Sequence, residues 1–247
     1  MRILIIYTCC FLLFECSNNK ERKTQTKGFE SMNDTVTGFV KLKYPSGQIK
    51  ETGMLVGGRK NGVWKNYNES GNLISVVYYY KNQKAANLEK DDFELTMVEL
   101  YDITIMLPSK WIIKKNYKQA LFIAVKPLSN DSIFAPTINV TKVLIPKGVS
   151  FPQFILANKK DLVNNYEEIK FRDERELGIA GNRAYEVLYF IKIQNKKLGV
   201  LTTYIQNGKS CFIVTCIAEG KGEEFIKYHD LFKEVTFSTK FTISQAN

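Results

Sequence analysis

Between residues 38 and 83 the chain repeats itself every 24 residues, and this repeat constrains its fold more than any other feature. "GFVKLKYPSGQIKETGMLVGGRKN" (38–61) aligns with "GVWKNYNESGNLISVVYYYKNQK" from residue 62 onward. Gly38 falls on Gly62, Gly47 on Gly71 and Ile49 on Leu73. Each unit reads as strand, tight turn, strand. "YPSG" (44–47) and "NESG" (68–71) end on Gly47 and Gly71, where such turns want a positive φ. "GGRKNG" (57–62) links one hairpin to the next, with Asn61-Gly62 as the turn signal. The expectation is a meander of four strands whose glycines Gly47, Gly62 and Gly71 serve the turns.

The aromatic side chains of the second unit have a matching role. Trp64, Tyr67, Tyr78, Tyr79 and Tyr80 suit half-buried strand faces that keep a polar tip in water, and together they form the candidate binding surface. Two hairpins are marginal alone, because repeat arrays usually need three or more units to bury a continuous core. One face of this sheet must therefore be covered, either by the C-terminal part of the chain or by a partner. The pattern "G.(V/W)..Y...G.L" at a 24-residue period resembles the YwqK-type repeat, a relative of the MORN (membrane occupation and recognition nexus) repeats. That resemblance spans residues 36–83 and implies a hairpin sheet with a binding role.

The N-terminus reads as an address. "MRILIIYTCCFLLFEC" has one basic residue followed by an apolar run from Ile3 to Phe14, too short for a stable membrane span but the length of a signal-peptide core. The polar stretch after it has the composition of a tether. The arrangement resembles a bacterial lipoprotein signal, with residues 1–15 removed, Cys16 carrying the lipid and 16–35 as a flexible tether. Glu15 departs from the small residue usual there. Ser17 resembles the residue that directs such lipoproteins to the outer membrane, facing the periplasm.

Residues 84–94 are polar and read as a linker. Residues 95–241 are long enough for one compact domain, and 242–247 form a tail. "YDITIMLPSKW", "ALFIAVKP" and "PTINVTKVLI" read as strands. "FPQFILANKKDLVNNY" (151–166) carries Phe151, Phe154, Ile155, Leu162 and Tyr166 mostly at helical spacing. Four further strands precede a closing helix on which Phe225, Tyr228 and Phe232 share a face. Strands between two isolated helices predict an α+β fold: the repeat meander, then a central antiparallel sheet packed with two helices. The "LPSKW" segment, the mid-chain helix, "GIAGNRAYEVLYF", the hairpin "LGVLTTYIQNGKSCFIVTC" and the closing helix before "VTFSTKF" resemble the PsbP-like domain, shared with small envelope lipoproteins of the DcrB type. That resemblance implies an assembly or binding module.

Chemistry is hard to place. His229 is the only histidine, on the closing helix one position off its aromatic face, and catalysis by histidine needs an orienting partner and a nucleophile. Nucleophile-elbow, zinc-protease, phosphate-loop and dinucleotide motifs do not occur. Cys211 and Cys216 stand about 16 Å apart along an apolar strand and on opposite faces, which suits buried reduced thiols. The net charge of +10 is spread out: 13 Lys/Arg against 9 Asp/Glu over residues 16–95, and 21 against 15 over 96–247. That distribution argues against nucleic acid as a partner and is compatible with weak attraction to anionic headgroups. No catalytic residue, metal or cofactor is expected. The function expected is a non-enzymatic envelope lipoprotein, held to the membrane by its N-terminal lipid and binding a protein or envelope partner. "RDERE" (172–176) alternates charge along a strand and reads as one solvated face. The alternative function is an immunity or antitoxin-type protein acting through the repeat sheet, and an envelope hydrolase using a carboxylate pair, which needs no local motif, is a third reading.

Overall fold

The computed structural model describes residues 36–128, 134–193, 196–220 and 223–242. The signal, Cys16, the tether and nearly all of the expected tail lie outside the described residues. The chain divides into two compact units between Glu94 and Leu95.

The first unit is a five-stranded antiparallel sheet in chain order: β1 (Gly38–Lys43), β2 (Ile49–Val56), β3 (Arg59–Tyr67), β4 (Leu73–Tyr80) and β5 (Gln83–Leu88). The repeat forms hairpins as expected, with Gly47 and Gly71 at φ +88° and +81° in their turns. Two details correct the sequence reading. The turn between the hairpins is Gly57-Gly58 (φ +55° and +74°), which brings Val56 opposite Arg59, while Gly62 lies inside β3. Positive φ at both central positions is the mark of a type I′ turn, and Gly-Gly adopts it without a Cβ penalty at either residue. The supposed linker 84–94 is also structured. It supplies β5 and a 3-10 turn, Lys90–Phe93, that packs on β4 and buries Phe93.

The second unit holds two sheets. β11 (Ile169–Ile179), β12 (Asn182–Ile193), β13 (Lys196–Asn207), β14 (Ser210–Glu219), β10 (Thr137–Leu144), β9 (Ala120–Val125) and β8 (Ile112–Tyr117) form one antiparallel sheet in that order. β15 (Lys240–Phe241), β7 (Ile103–Pro108) and β6 (Leu95–Leu100) form a smaller one. The α+β assignment is thereby overturned. The described residues are 59% strand and 16% helix in three antiparallel sheets, a β-rich fold in which only two helices occur. The sequence reading gave two helical segments the weight of a layer, and it merged strands that pair in separate sheets. Local periodicity does not reveal which strands pair.

Both helices form where the apolar spacing placed them. α1 (Phe151–Asn165) starts at a capping box: the Ser150 side chain accepts from the Gln153 amide, and the Gln153 side chain accepts from the Ser150 amide. Phe151, Phe154 and Ile155 are buried, and Phe154 meets Tyr204 of β13 edge-on with ring centroids 6.5 Å apart. Leu162 and Tyr166, expected on the same face, are only half-buried, and Asn158 is buried instead, its amide donating to the Phe154 carbonyl at 2.8 Å. α2 (Glu223–Phe237) buries Phe225, Leu231, Phe232 and Val235 and packs on β14, β13 and β7. Among the described residues, no helix is long and apolar enough to cross a membrane.

Candidate binding surface

Strand alternation sorts the candidate aromatics onto two faces of the five-stranded sheet. Trp64 stands opposite Val77, so it shares a face with Tyr79, while Tyr78 and Tyr80 point the other way. Three consecutive tyrosines cannot line one side of a strand, and the single surface expected from Trp64, Tyr67, Tyr78, Tyr79 and Tyr80 does not exist.

The Trp64 face is a core. Trp64 is fully buried with Val40 and Leu55, and Val36, Leu42 and Tyr79 pack against this cluster. A register shift between Thr52 and Met54 lays the indole over Gly53, and Nε1 donates to the Met54 carbonyl at 3.1 Å. Tyr79 meets the indole edge-on at 6.4 Å. The Lys60 ammonium sits 4.2 Å from the Trp64 ring centroid and 5.1 Å from that of Tyr79, and it is anchored by Glu51 at 2.6 Å. Trp64 is therefore structural. Tyr67 lies at the end of β3, where its carbonyl accepts from the Tyr44 hydroxyl at 2.8 Å.

The opposite face is only partly covered. Phe93 lies beneath the Lys65 ammonium, 5.5 Å away, and close by Thr52 and Val76 are buried. Towards the other end the face is open. Phe39 and Met54 are cross-strand partners, 41% and 37% exposed, with Val56 two residues along at 49%. On β4 the same end presents Tyr80, 57% exposed, with Lys81 over its ring, while Ile74, 55% exposed, lies at the far end of the strand beyond the buried Val76. Phe39, Met54, Val56 and Ile74 were missed in the sequence because they lie among the strand-forming residues of the repeat. Pairing register alone brings Phe39 and Met54 together with the Tyr78 and Tyr80 side of β4.

The charged run of β11 is engaged. Glu174 accepts from Lys159 Nζ at 2.5 and 2.6 Å and from the Tyr185 hydroxyl at 2.6 Å. Burial pushes Glu174 upward, but the Lys159 and Tyr185 hydrogen bonds outweigh it and hold the carboxyl below its usual range. Tyr185 is pushed up to about 12, by burial and then by the neighbouring carboxylate. On the same face Glu176 pairs with Arg183 at 2.7 Å, and on the other face Arg175 pairs with the nearly buried Glu186 at 2.6 Å. These carboxylates serve ion pairs in the fold. Beside them, an open groove of about 370 Å³ runs between α1 and β11, lined by Leu156, Lys159, Lys160, Val163, Asn164 and Phe171.

Cys211 and Cys216 are free and buried, and burial pushes both thiols far above the range in which a thiolate forms at neutral pH. His229 lies 3.5 Å from Asp230, with its ring 5.9 Å from that of Phe225. Among the described residues, no group of three His, Cys, Asp or Glu side chains is placed to hold a metal ion.

No protein-family model matches the chain, and no curated protein matches its sequence. Solved structures do resemble it. Cyanobacterial PsbP (CyanoP) from Synechocystis sp. PCC 6803 is similar at 11% identity over 60% of this chain and 92% of its own, with a TM-score of 0.47. LpqN of Mycobacterium tuberculosis, a protein involved in cell envelope biogenesis, is similar at 16% identity over 60% of this chain and 91% of its own, also with a TM-score of 0.47. The Ran-binding protein Mog1p of Saccharomyces cerevisiae is similar at 13% identity over 59% and 94%, with a TM-score of 0.45.

Proposed function

We propose that the protein is a non-enzymatic lipoprotein of the cell envelope, tethered through Cys16, whose repeat sheet docks a protein partner. The observation that carries this reading is the open end of the sheet face bearing Phe39, Met54, Val56 and Tyr80. Apolar side chains gathered on one sheet face, rimmed by Lys81 and Arg59, are what a protein interface leaves exposed when its partner is missing. The opposite face already has a core built on Trp64, so the sheet needs no partner there. The apolar run from Ile3 to Phe14, two residues before Cys16, supports export and lipid attachment. The YwqK/MORN-like pattern of residues 36–83 supports a binding role for the hairpins.

The test is site-directed photocrosslinking in cells, with the reactive group at Met54 and, as a control, at Asn87. A discrete crosslinked partner at Met54 that is lost in Phe39→Asp supports the reading. Equal, diffuse crosslinking at both positions would remove it. An adduct with a toxin instead of an envelope component would favour the immunity-type alternative.

A further inference from the structure

The charge of the chain is less evenly distributed than the sums over residues 16–95 and 96–247 suggest. Residues 103–160 hold nine lysines against a single aspartate, Asp131, and so account for most of the net +10. Some of these lysines are spoken for. Lys142 pairs with Asp102 at 2.6 Å, Lys159 with Glu174, and Lys126 donates to the Tyr228 hydroxyl at 3.1 Å. The hairpin of β8 and β9 is different.

β8 is an edge strand of the seven-stranded sheet, and every residue from Lys114 to Gln119 is exposed. A two-residue turn at Lys118-Gln119 joins it to β9, with Tyr117 opposite Ala120. Tyr117 is 40% exposed, with the Lys114 and Lys118 ammonium groups 5.3 and 5.4 Å from its ring centroid. Ile112, five residues back on the same strand and on the other side of its ladder, is 53% exposed, and Lys110 is exposed just before it. This edge strand therefore offers an apolar side chain and a lysine on either side to a surface met edge-on. Lys115 donates to the Glu99 carbonyl at 2.9 Å, an acceptor without formal charge, so its positive charge is not neutralised there. Among the described residues, Lys110, Lys114 and Lys118 form no ion pair.

We propose that the β8–β9 hairpin is a contact for an anionic lipid surface, with Lys110, Lys114, Lys115 and Lys118 meeting headgroups while Ile112 and Tyr117 enter the interface. The charge complementarity is one-sided, since residues 103–130 contain no acid at all. Lysines near an anionic leaflet gain attraction that is roughly additive, and tyrosine is favoured at headgroup level. Ile112 decides between lipid and nucleic acid, since a tyrosine among lysines can also stack on bases. A phosphate backbone rewards cations alone, and an exposed isoleucine among them gains nothing there, whereas a bilayer interface rewards both. This contact is separate from the repeat-sheet face and needs no lipid on Cys16.

Vesicle flotation tests it, using residues 16–247 with Cys16→Ser so that neither the apolar leader nor an acyl chain contributes. The probes are vesicles of phosphatidylcholine alone and of equimolar phosphatidylcholine and phosphatidylglycerol. The protein should float with the anionic vesicles, in a manner weakened by salt. Replacing Lys110, Lys114 and Lys118 with glutamine should lower partitioning about fivefold for each lysine. A second variant, Ile112→Ser with Tyr117→Ser, changes only exposed side chains. It should weaken binding while leaving the salt dependence in place. Equal flotation of parent and lysine variant would overturn the proposal, as would equal partitioning onto neutral vesicles. Binding of a single-stranded oligonucleotide without vesicle binding would overturn it in favour of nucleic acid. None of these results bears on crosslinking at Met54, so the two readings fail separately.

Discussion

Trp64 lies flat over Gly53: a Cβ added at Gly53 would stand 2.4 to 2.6 Å from three atoms of the indole. Gly53 is in β2, where most residues carry a side chain without cost, so its role is to give the tryptophan room. The ring is held at its edge by the Met54 carbonyl, which accepts from Nε1, and over its face by the Lys60 ammonium, and it cannot tilt away without losing one of them. Gly53→Ala should therefore destabilise the first unit by about 1–3 kcal/mol through overpacking. In a Trp64→Leu background the same change should cost much less, giving a coupling on the order of 1 kcal/mol. Hydrogen exchange of the β2 and β3 amides reads this unit apart from the rest of the chain. Additive losses from the two substitutions would show that the contact is not what fixes the glycine.

The Arg175–Glu186 pair offers a second prediction. Glu186 keeps 5% of its side chain exposed; its Oε1 accepts from Arg175 Nε at 2.8 Å while Oε2 has no partner among the described residues. Lys233 of α2 feels both groups: burial lowers its pKa first, Arg175 adds to that, and Glu186 opposes it. Arg175→Met strands a buried carboxylate and should cost about 3 kcal/mol, the low end for a broken buried pair because Arg175 is partly exposed. Adding Glu186→Leu should recover most of that loss. Denaturation of the second unit, followed by β12 amide exchange, checks both. A loss under about 1 kcal/mol for the single variant would class the pair with ordinary surface bridges.

The Lys159–Glu174–Tyr185 knot predicts a pH dependence with two limits. Tyr185 has its pKa raised from 10.0 to about 12, so the unfolded chain loses this proton first. Its contribution is whole below about pH 10 and falls away between pH 10 and 12. Glu174 is shifted the other way, below 4.5, so its contribution is present above that value and is lost as pH falls through the folded pKa. Tyr185→Phe should melt at a lower temperature than the parent at pH 8, with the difference shrinking above pH 10. A difference that stays constant to pH 12 would rule out the phenol–carboxylate hydrogen bond as its source.

The sequence was most informative where the chain makes its own neighbours. Turn glycines and the 24-residue period located the hairpins, and apolar spacing located α1 and α2. It failed where one element meets another far along the chain. Nothing local in "PTINVTKVLI" states that β10 pairs with β14, and the smaller sheet of β15, β7 and β6 joins strands from both ends of the second unit. The aromatic surface went wrong for a different reason. Period-two alternation was already enough to separate Tyr79 from Tyr78 and Tyr80, but the five aromatics were pooled by composition. The pairs Lys114-Lys115 and Lys159-Lys160 stand out in the sequence, but the acid-poor stretch around them is hidden in a sum over 96–247, where 15 acids offset 21 bases.

The strand order of the first unit has a consequence for how the molecule comes to be folded. Every pairing from β1 to β5 joins strands that are neighbours in the chain, so each hairpin can close as soon as its own residues are available. The seven-stranded sheet cannot do this, because residues 137–144 must wait for 210–217 before β10 finds β14. During synthesis the repeat sheet can settle while the other unit still lacks its central pairing. The same nearest-neighbour plan lets such a sheet gain or lose a hairpin over evolutionary time without redrawing the connections of anything downstream.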